Sequence, residues 1–321
     1  MKKVSILIPC YNEQENVVPM HDELTKLFRE QLPQYHYEIL FIDNCSTDMT
    51  RVRLRQICEE DHRHTRVIMN ARNFGQFNSP YYGMLQTSGD CVICLCCDFQ
   101  DPLEMIPKFL EEWENGYKIV CGVKTKSKEN PIYYLARTIY YKTIKAMSEV
   151  EQIEHFTGFG LYDRTFIKVL KDLDDPTPFI REIVAELGYK RIDIEYTQPK
   201  RRAGKTHNNW YSLYDAAMLG FTSSTKMGIR ICTFFGFTCS FLTIVVALVY
   251  FVLKMIYWSK FPAGSIPILL GVFIFGSLQL MFLGFIGEYV MSINNRVMRR
   301  PLVIEEERLN FEYDHDDRDT L

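Results

Sequence analysis

The residues whose types and spacing most readily support chemistry are Asp98 and Gln100, in the run Cys96-Cys97-Asp98-Phe99-Gln100-Asp101-Pro102. They follow Asp90-Cys91-Val92-Ile93-Cys94-Leu95, a short apolar run that reads as a buried strand. A carboxylate at the mouth of such a strand is costly to bury unless a cation pairs with it. On an extended backbone, the Asp98 carboxylate and the Gln100 amide oxygen lie on one face. Two hard oxygens suit Mg²⁺ or Mn²⁺, which complete their shell with water and substrate phosphates. Standing alone, the pair reads equally well as a solvated turn at a strand end.

A scaffold for these residues is visible in the alternation of the chain. Lys3–Pro9, Tyr37–Ile42, Arg66–Met69 and Asp90–Cys97 read as buried strands, separated by segments with helical apolar spacing such as Val17, Met20, Leu24, Leu27 and Phe28. This pattern predicts an α/β domain with a mainly parallel sheet and helices on both faces. Ligands of such sheets sit at the carboxyl ends of the strands. The polar stretches Tyr11-Asn12-Glu13, Asp43–Asp48, Asn70–Gln76 and Asp98–Asp101 all fall there. Ser46 or Thr47 is the expected cap of the helix after the second strand.

The whole chain has 321 residues and a formal charge of −3, which argues against a nucleic-acid partner. Cys91, Cys94, Cys96 and Cys97 crowd one strand without a second metal-ligand pair, so they read as reduced, buried thiols. Two uncharged apolar runs, Ile231–Leu253 and Phe261–Gly287, are each long enough to cross a bilayer core of ~30 Å. Lys226 and Arg230 precede the first run and Arg296, Arg299 and Arg300 follow the second, against Lys254 and Lys260 between them. That excess places both ends of the hairpin on the cytoplasmic side of an inner membrane. No signal peptide precedes the first strand, which agrees with a cytoplasmic catalytic domain. The expected layout is a domain over 1–207, an interfacial amphipathic helix over 208–226 carrying Trp210, Tyr211, Tyr214 and Phe221, a two-helix hairpin over 227–294, and a mobile acidic cytoplasmic tail over 295–321.

Ile8-Pro9-Cys10-Tyr11-Asn12-Glu13, Ile42-Asp43-Asn44-Cys45-Ser46-Thr47-Asp48, Arg72-Asn73-Phe74-Gly75 and Asp98-Phe99-Gln100-Asp101-Pro102, in this order, resemble the signatures of family 2 glycosyltransferases. The nearest branch is that of dolichol-phosphate mannose synthase and the bacterial polyprenyl-phosphate enzymes. Gly284-Phe285-Ile286-Gly287-Glu288-Tyr289 and then Arg300-Pro301 are similar to the end of the paired spans in the bacterial members. The resemblance implies a GT-A (nucleotide-diphosphosugar transferase) fold. Pro9, Tyr11 and Glu13 would line the base and ribose pocket, and Asp43 would meet the base. Asp98 and Gln100 would hold the Mg²⁺ or Mn²⁺ that bridges the diphosphate. Two positions depart from the family pattern: Cys96 stands where relatives carry the first Asp of Asp-x-Asp, and Phe159 where they carry an acceptor-loop Asp. Glu154 and His155, just upstream, are the replacement base candidates, although an ionised phosphate acceptor needs no base.

Three basic stretches complete the phosphate-handling set. Lys124 opens the loop Lys124-Thr125-Lys126-Ser127-Lys128, suited to closing over phosphates, and Arg137 lies on the helix that follows. Lys200-Arg201-Arg202-Ala203-Gly204-Lys205-Thr206 is similar to the family's Arg-x-Ala-Gly-x-Ser-Lys loop, placing Arg201 and Lys205 on phosphate. The implied activity is inverting transfer of a hexose-type sugar from a nucleotide diphosphate sugar, UDP- ahead of GDP-, to polyprenyl phosphate at the cytoplasmic membrane face. Glycines in the spans allow a homo-oligomer. The rival readings are a catalytically degraded transferase serving as a membrane scaffold, and a processive polysaccharide synthase. The second lacks its Gln-x-x-Arg-Trp string here.

Overall fold

The computed structural model describes residues 1–126, 153, 155–203, 227–256, 265–298 and 300–311. Arg137, Glu154, Lys205 and the expected interfacial helix lie outside the described residues. Strands β1 (Lys3–Cys10), β2 (His36–Asp43), β3 (Thr65–Asn70) and β4 (Cys91–Cys94) alternate with helices α1 (Val17–Gln31), α2 (Thr50–Glu60) and α3 (Gly75–Leu85). Next come α4 (Met105–Glu114), β5 (Ile119–Lys126), β6 (Phe156–Asp163), α5 (Arg164–Leu173), α6 (Ile180–Glu186) and β7 (Arg191–Thr197). Two long helices, α7 (Met227–Ile256) and α8 (Ser265–Val297), precede a last strand, β8 (Glu305–Leu309).

The strands form one sheet in the order β7-β5-β6-β4-β1-β2-β3-β8. β1 pairs in parallel with β2 and β4, β2 with β3, and β5 with β7. β6 and β8 run antiparallel to their neighbours. The result is a Rossmann-like, mixed but mostly parallel sheet, as the alternation of elements requires. Its inner strands are buried on both faces, so they read as continuous apolar runs. Val4, Ile6, Ile8, Ile39 and Phe41 face α1, α2 and α4 in one core layer. Leu7, Leu40, Ile42 and Tyr162 face α3, α5 and α6 in the other, with Phe166 of α5 packed among them. Cys91, Cys94, Cys96 and Cys97 are free, and Cys91 and Cys94 point to opposite layers, so they do not form a metal pair.

Two expectations are corrected. β4 ends at Cys94, not Cys97, because the chain turns: Phe99 sits at φ 61° and the Gln100 N–H donates to Asp98 Oδ1 at 3.1 Å. Asp98 and Gln100 are thus held in an aspartate turn rather than side by side on an extended backbone. The tail after α8 is not wholly mobile. Glu305–Leu309 closes the β3 edge, and its acidic side chains find cations waiting there: Arg51 with Glu306 at 2.7 Å, and Arg55 with Glu307. A smaller difference concerns α2. Asp48 Oδ1 accepts from the Thr50 N–H at 3.0 Å at its start, while Ser46 is used elsewhere.

Candidate active site

The carboxyl ends of the parallel strands converge on one rim, and the loops there are laced together by side chains. The β1 exit loop docks on the β2 exit loop. Asn12 N–H donates to Ser46 Oγ at 2.8 Å, Glu13 N–H to Thr50 Oγ1 at 2.9 Å, and Thr47 N–H to Asn12 Oδ1 at 2.8 Å. Asn12 adopts φ 57°, a left-handed conformation that asparagine tolerates better than most residues. The turn delivers Glu13 into the rim with its side chain about 12% exposed. Asn16, which sequence reasoning passed over, positions it: Nδ2 donates to Glu13 Oε2 at 2.6 Å and to the Ala203 carbonyl at 3.4 Å.

Asp98 is 4% exposed and carries the electrostatic centre of the site. Its Oδ2 lies 2.8 Å from the Arg201 guanidinium, which also reaches toward Glu13 Oε1 at 3.9 Å. The Arg202 N–H donates to the Asp98 carbonyl, and the Arg202 guanidinium covers the Phe99 ring at 4.8 Å. Three loops far apart in sequence therefore meet: Glu13 after β1, Asp98 after β4, and Arg201 after β7. Opposite charges at this distance compensate the cost of burying Asp98.

Asp101 supports this arrangement without joining it. It is 3% exposed, accepts from the Cys96 N–H at 2.9 Å and from the Tyr196 hydroxyl at 3.0 Å, and so ties the β4 exit to β7. Burial raises its carboxyl, against the Cys96 N–H and the nearby Lys124 charge, which lower it. Lys124 lies within β5, which runs on to Lys126, rather than opening a loop, and its N–H donates to the His155 carbonyl at 3.4 Å. His155, at φ 60°, leads into β6, the strand between β5 and β4. Phe159 does not face the rim. It is 2% exposed and packs between Phe109 and Tyr196, so the aromatic there is a core residue.

Asp43 behaves differently from the expectation of a base contact. It is fully buried, and its Oδ2 accepts from Arg51 Nε at 2.9 Å and from the Ser46 N–H at 3.1 Å. Pro9, in β1, and Tyr11, in its exit turn, are both partly buried at the same rim. Sequence reasoning also missed Arg51. It was hidden because a basic residue in the first turn of a surface helix reads as solvated.

The donor set admits a divalent cation. Glu13 and Asp98 bring carboxylate oxygens to the rim, with Gln100 on the same turn as Asp98, and hard oxygens are what Mg²⁺ and Mn²⁺ take. Among the described residues no three His, Cys, Asp or Glu side chains form a closed metal cage. A cation held here would take the rest of its shell from substrate, which is the usual habit of Mg²⁺.

Residues 5–188 match the family described as Glycosyl transferase family 2. An uncharacterized glycosyltransferase of Synechocystis sp. is 28% identical over 312 residues, covering 97% of both chains. The bactoprenol glucosyl transferase of Shigella phage SfX is 27% identical over 300 residues, covering 93% of this chain and 97% of that one. Among solved structures, mannosyl-3-phosphoglycerate synthase from Rubrobacter xylanophilus is similar at 15% identity and a TM-score of 0.46, over 68% of this chain and 71% of that one. With its matched region spanning more than half of its length, the chain belongs to glycosyl transferase family 2 and is a glycosyltransferase.

Proposed function

We propose that the chain transfers a hexose-type sugar from a nucleotide diphosphate sugar, a UDP-sugar in the first instance, to polyprenyl phosphate at the cytoplasmic membrane face. The observation that carries this reading is the convergence of Glu13, Asp98 and Arg201 from three separate loops. Relatives aligned over almost the whole chain and named bactoprenol glucosyl transferase support the lipid acceptor.

Asp98 and Gln100 would hold a divalent cation together with the donor diphosphate, and Glu13 and Tyr11 would flank the nucleoside. When bound, the cation neutralises the leaving diphosphate. Arg201, Lys205 and Lys124 then serve the two phosphate groups, with Arg137 on the acceptor side. An acceptor phosphate oxygen attacks the anomeric carbon, a new carbon–oxygen bond forms, and the bond to the nucleoside diphosphate breaks with its electron pair leaving on that product. One displacement of this kind inverts the anomeric centre. The acceptor oxygen is already anionic, so His155 and Glu154 need not remove a proton; they are proposed to shape the acceptor entrance.

The membrane reading rests on α7 and α8. Ile274–Asn294 within α8 is long and apolar enough to cross a bilayer, with none of it buried in the protein. Phe234, Phe237 and Phe241 of α7 are likewise exposed. The return of β8 to the sheet supports a hairpin. Strands before α7 and the strand after α8 share one sheet, which favours a paired crossing with both ends on one side. The test is to incubate membranes containing the protein with radiolabelled UDP- and GDP-sugars and polyprenyl phosphate, then to extract lipid. Labelled lipid from a UDP-hexose is expected; no labelled lipid from any common donor defeats the proposal.

A further inference from the structure

The strand that follows the long helices reaches the donor side of the site through one side chain. β8 pairs with β3 by matching Ile68 with Arg308, Met69 with Glu307 and Asn70 with Glu305. The register skips Glu306, which is the extra residue of a β-bulge. Bulges re-aim side chains and are common beside active sites. Here the bulge turns Glu306 onto the α2 layer together with Glu307, while Glu305 faces Tyr82 of α3. Glu306 Oε2 meets Arg51 Nη2 at 2.7 Å.

Arg51 is a hub of three strand ends. The same guanidinium donates to buried Asp43 at the end of β2, to the Asn70 carbonyl at the end of β3, and to Glu306 of β8. Asp43 in turn accepts from the Ser46 N–H, and Ser46 Oγ accepts from the Asn12 N–H between Tyr11 and Glu13. An unbroken series of hydrogen bonds thus runs from the strand behind the membrane hairpin to the loop that carries Tyr11 and Glu13. We propose that Arg51 and Glu306 are positioning residues for the nucleotide: Glu306, delivered by the post-hairpin strand, fixes Arg51, which fixes Asp43 and the two exit loops. The proposal rests on the donor-pocket reading above. It makes the segment after the membrane helices a working part of the catalytic domain.

The energetics make the two possible roles separable. Glu306 is 54% exposed, and an ion pair that exposed contributes little to stability. A nucleotide effect from Glu306→Gln therefore reports loop positioning rather than loss of fold. The experiment uses the full chain in detergent micelles and measures binding of UDP and of GDP, each with Mn²⁺, by calorimetry. It also measures melting temperature and donor KM against kcat. Glu306→Gln and Arg51→Lys are each expected to weaken nucleotide binding about three- to tenfold, up to roughly 1.4 kcal/mol. Donor KM should rise with kcat nearly unchanged, and the Glu306→Gln melting temperature should stay close to wild type. In combination with Asp43→Asn, Glu306→Gln should add less than its separate effect, as coupled residues do. Nucleotide affinity that ignores both substitutions, or that falls only in step with melting temperature, overturns this proposal alone. A wild-type chain that binds neither UDP nor GDP overturns it together with the donor-pocket reading.

Discussion

Asp98 is held by opposite charge on one side and by its own turn on the other. Its Oδ2 belongs to Arg201 and its Oδ1 accepts the Gln100 N–H, so the carboxylate is fixed before any substrate arrives. In the proposed reading Asp98 serves the donor diphosphate, and such preorganised groups are usually a large part of catalysis. Asp98→Ala is therefore expected to lower kcat/KM by about a hundredfold or more. Arg201→Lys keeps the charge but loses the planar fork that spans Asp98 and Glu13, and about tenfold is expected. Initial rates of labelled-lipid formation measure both; an Asp98→Ala enzyme with near-normal rates would remove the carboxylate from the site. Asp98 was legible as a candidate because a carboxylate at the end of a buried apolar strand is costly unless it is paired or bound, whereas Glu13 and Arg201 were singled out only through the resemblance of their loops to the family's signatures. How Asp98 and Gln100 are oriented was not legible, because nothing in the string marks Phe99 for a left-handed conformation. Nor was the enclosure of Asp43, since Arg51 is fixed partly by Glu306, 255 positions away.

At the scale of elements, the central strands were readable from their unbroken apolar runs, and the two antiparallel ones were not. β8 begins Glu305-Glu306-Glu307, a composition poor for strands, and only its cationic partners on α2 make pairing favourable. β2 hides another charge. Glu38, 2% exposed, accepts from Ser5 Oγ at 2.6 Å, the Ser88 N–H at 2.6 Å and Ser88 Oγ at 2.7 Å, with Lys3 at 2.9 Å and Arg66 at 3.0 Å. Burial alone would raise its carboxyl, yet these partners hold it down at about 2 against an ordinary 4.5. A carboxyl depressed on folding stabilises above its unfolded value, and that contribution is lost as pH falls from about 4.5 through about 2. Glu38→Gln is expected to cost on the order of 3 kcal/mol near neutral pH, with the gap to wild type closing as pH falls through that window. Denaturant titrations of the full chain at several pH values check this; a gap constant with pH would show that the charge is not what Glu38 contributes.

For the whole molecule, the sheet is the common frame. One edge of the rim carries Lys124, His155 and Arg201, and the other is closed by the strand that emerges from α8. Of the two apolar runs the sequence offers as spans, one stretch among the described residues, Ile274–Asn294 of α8, is long and apolar enough to cross a bilayer core, which needs about 20 residues. That their far end would rejoin the catalytic sheet was not legible, because β-pairing between distant segments leaves no local pattern. In the proposed reading this arrangement would keep an aqueous pocket on a short tether from the bilayer, where a lipid presents its phosphate while its chain stays in hydrocarbon. The most direct measurement uses the purified full chain in phospholipid vesicles, supplied with labelled UDP-hexose and either polyprenyl phosphate or the unphosphorylated polyprenol. The account predicts labelled lipid only with the phosphate, with an anomeric configuration opposite to that of the donor, and formed at least about a hundredfold more slowly by Asp98→Ala. Equal labelling of polyprenol, retention of the donor configuration, or undiminished product from Asp98→Ala would contradict it.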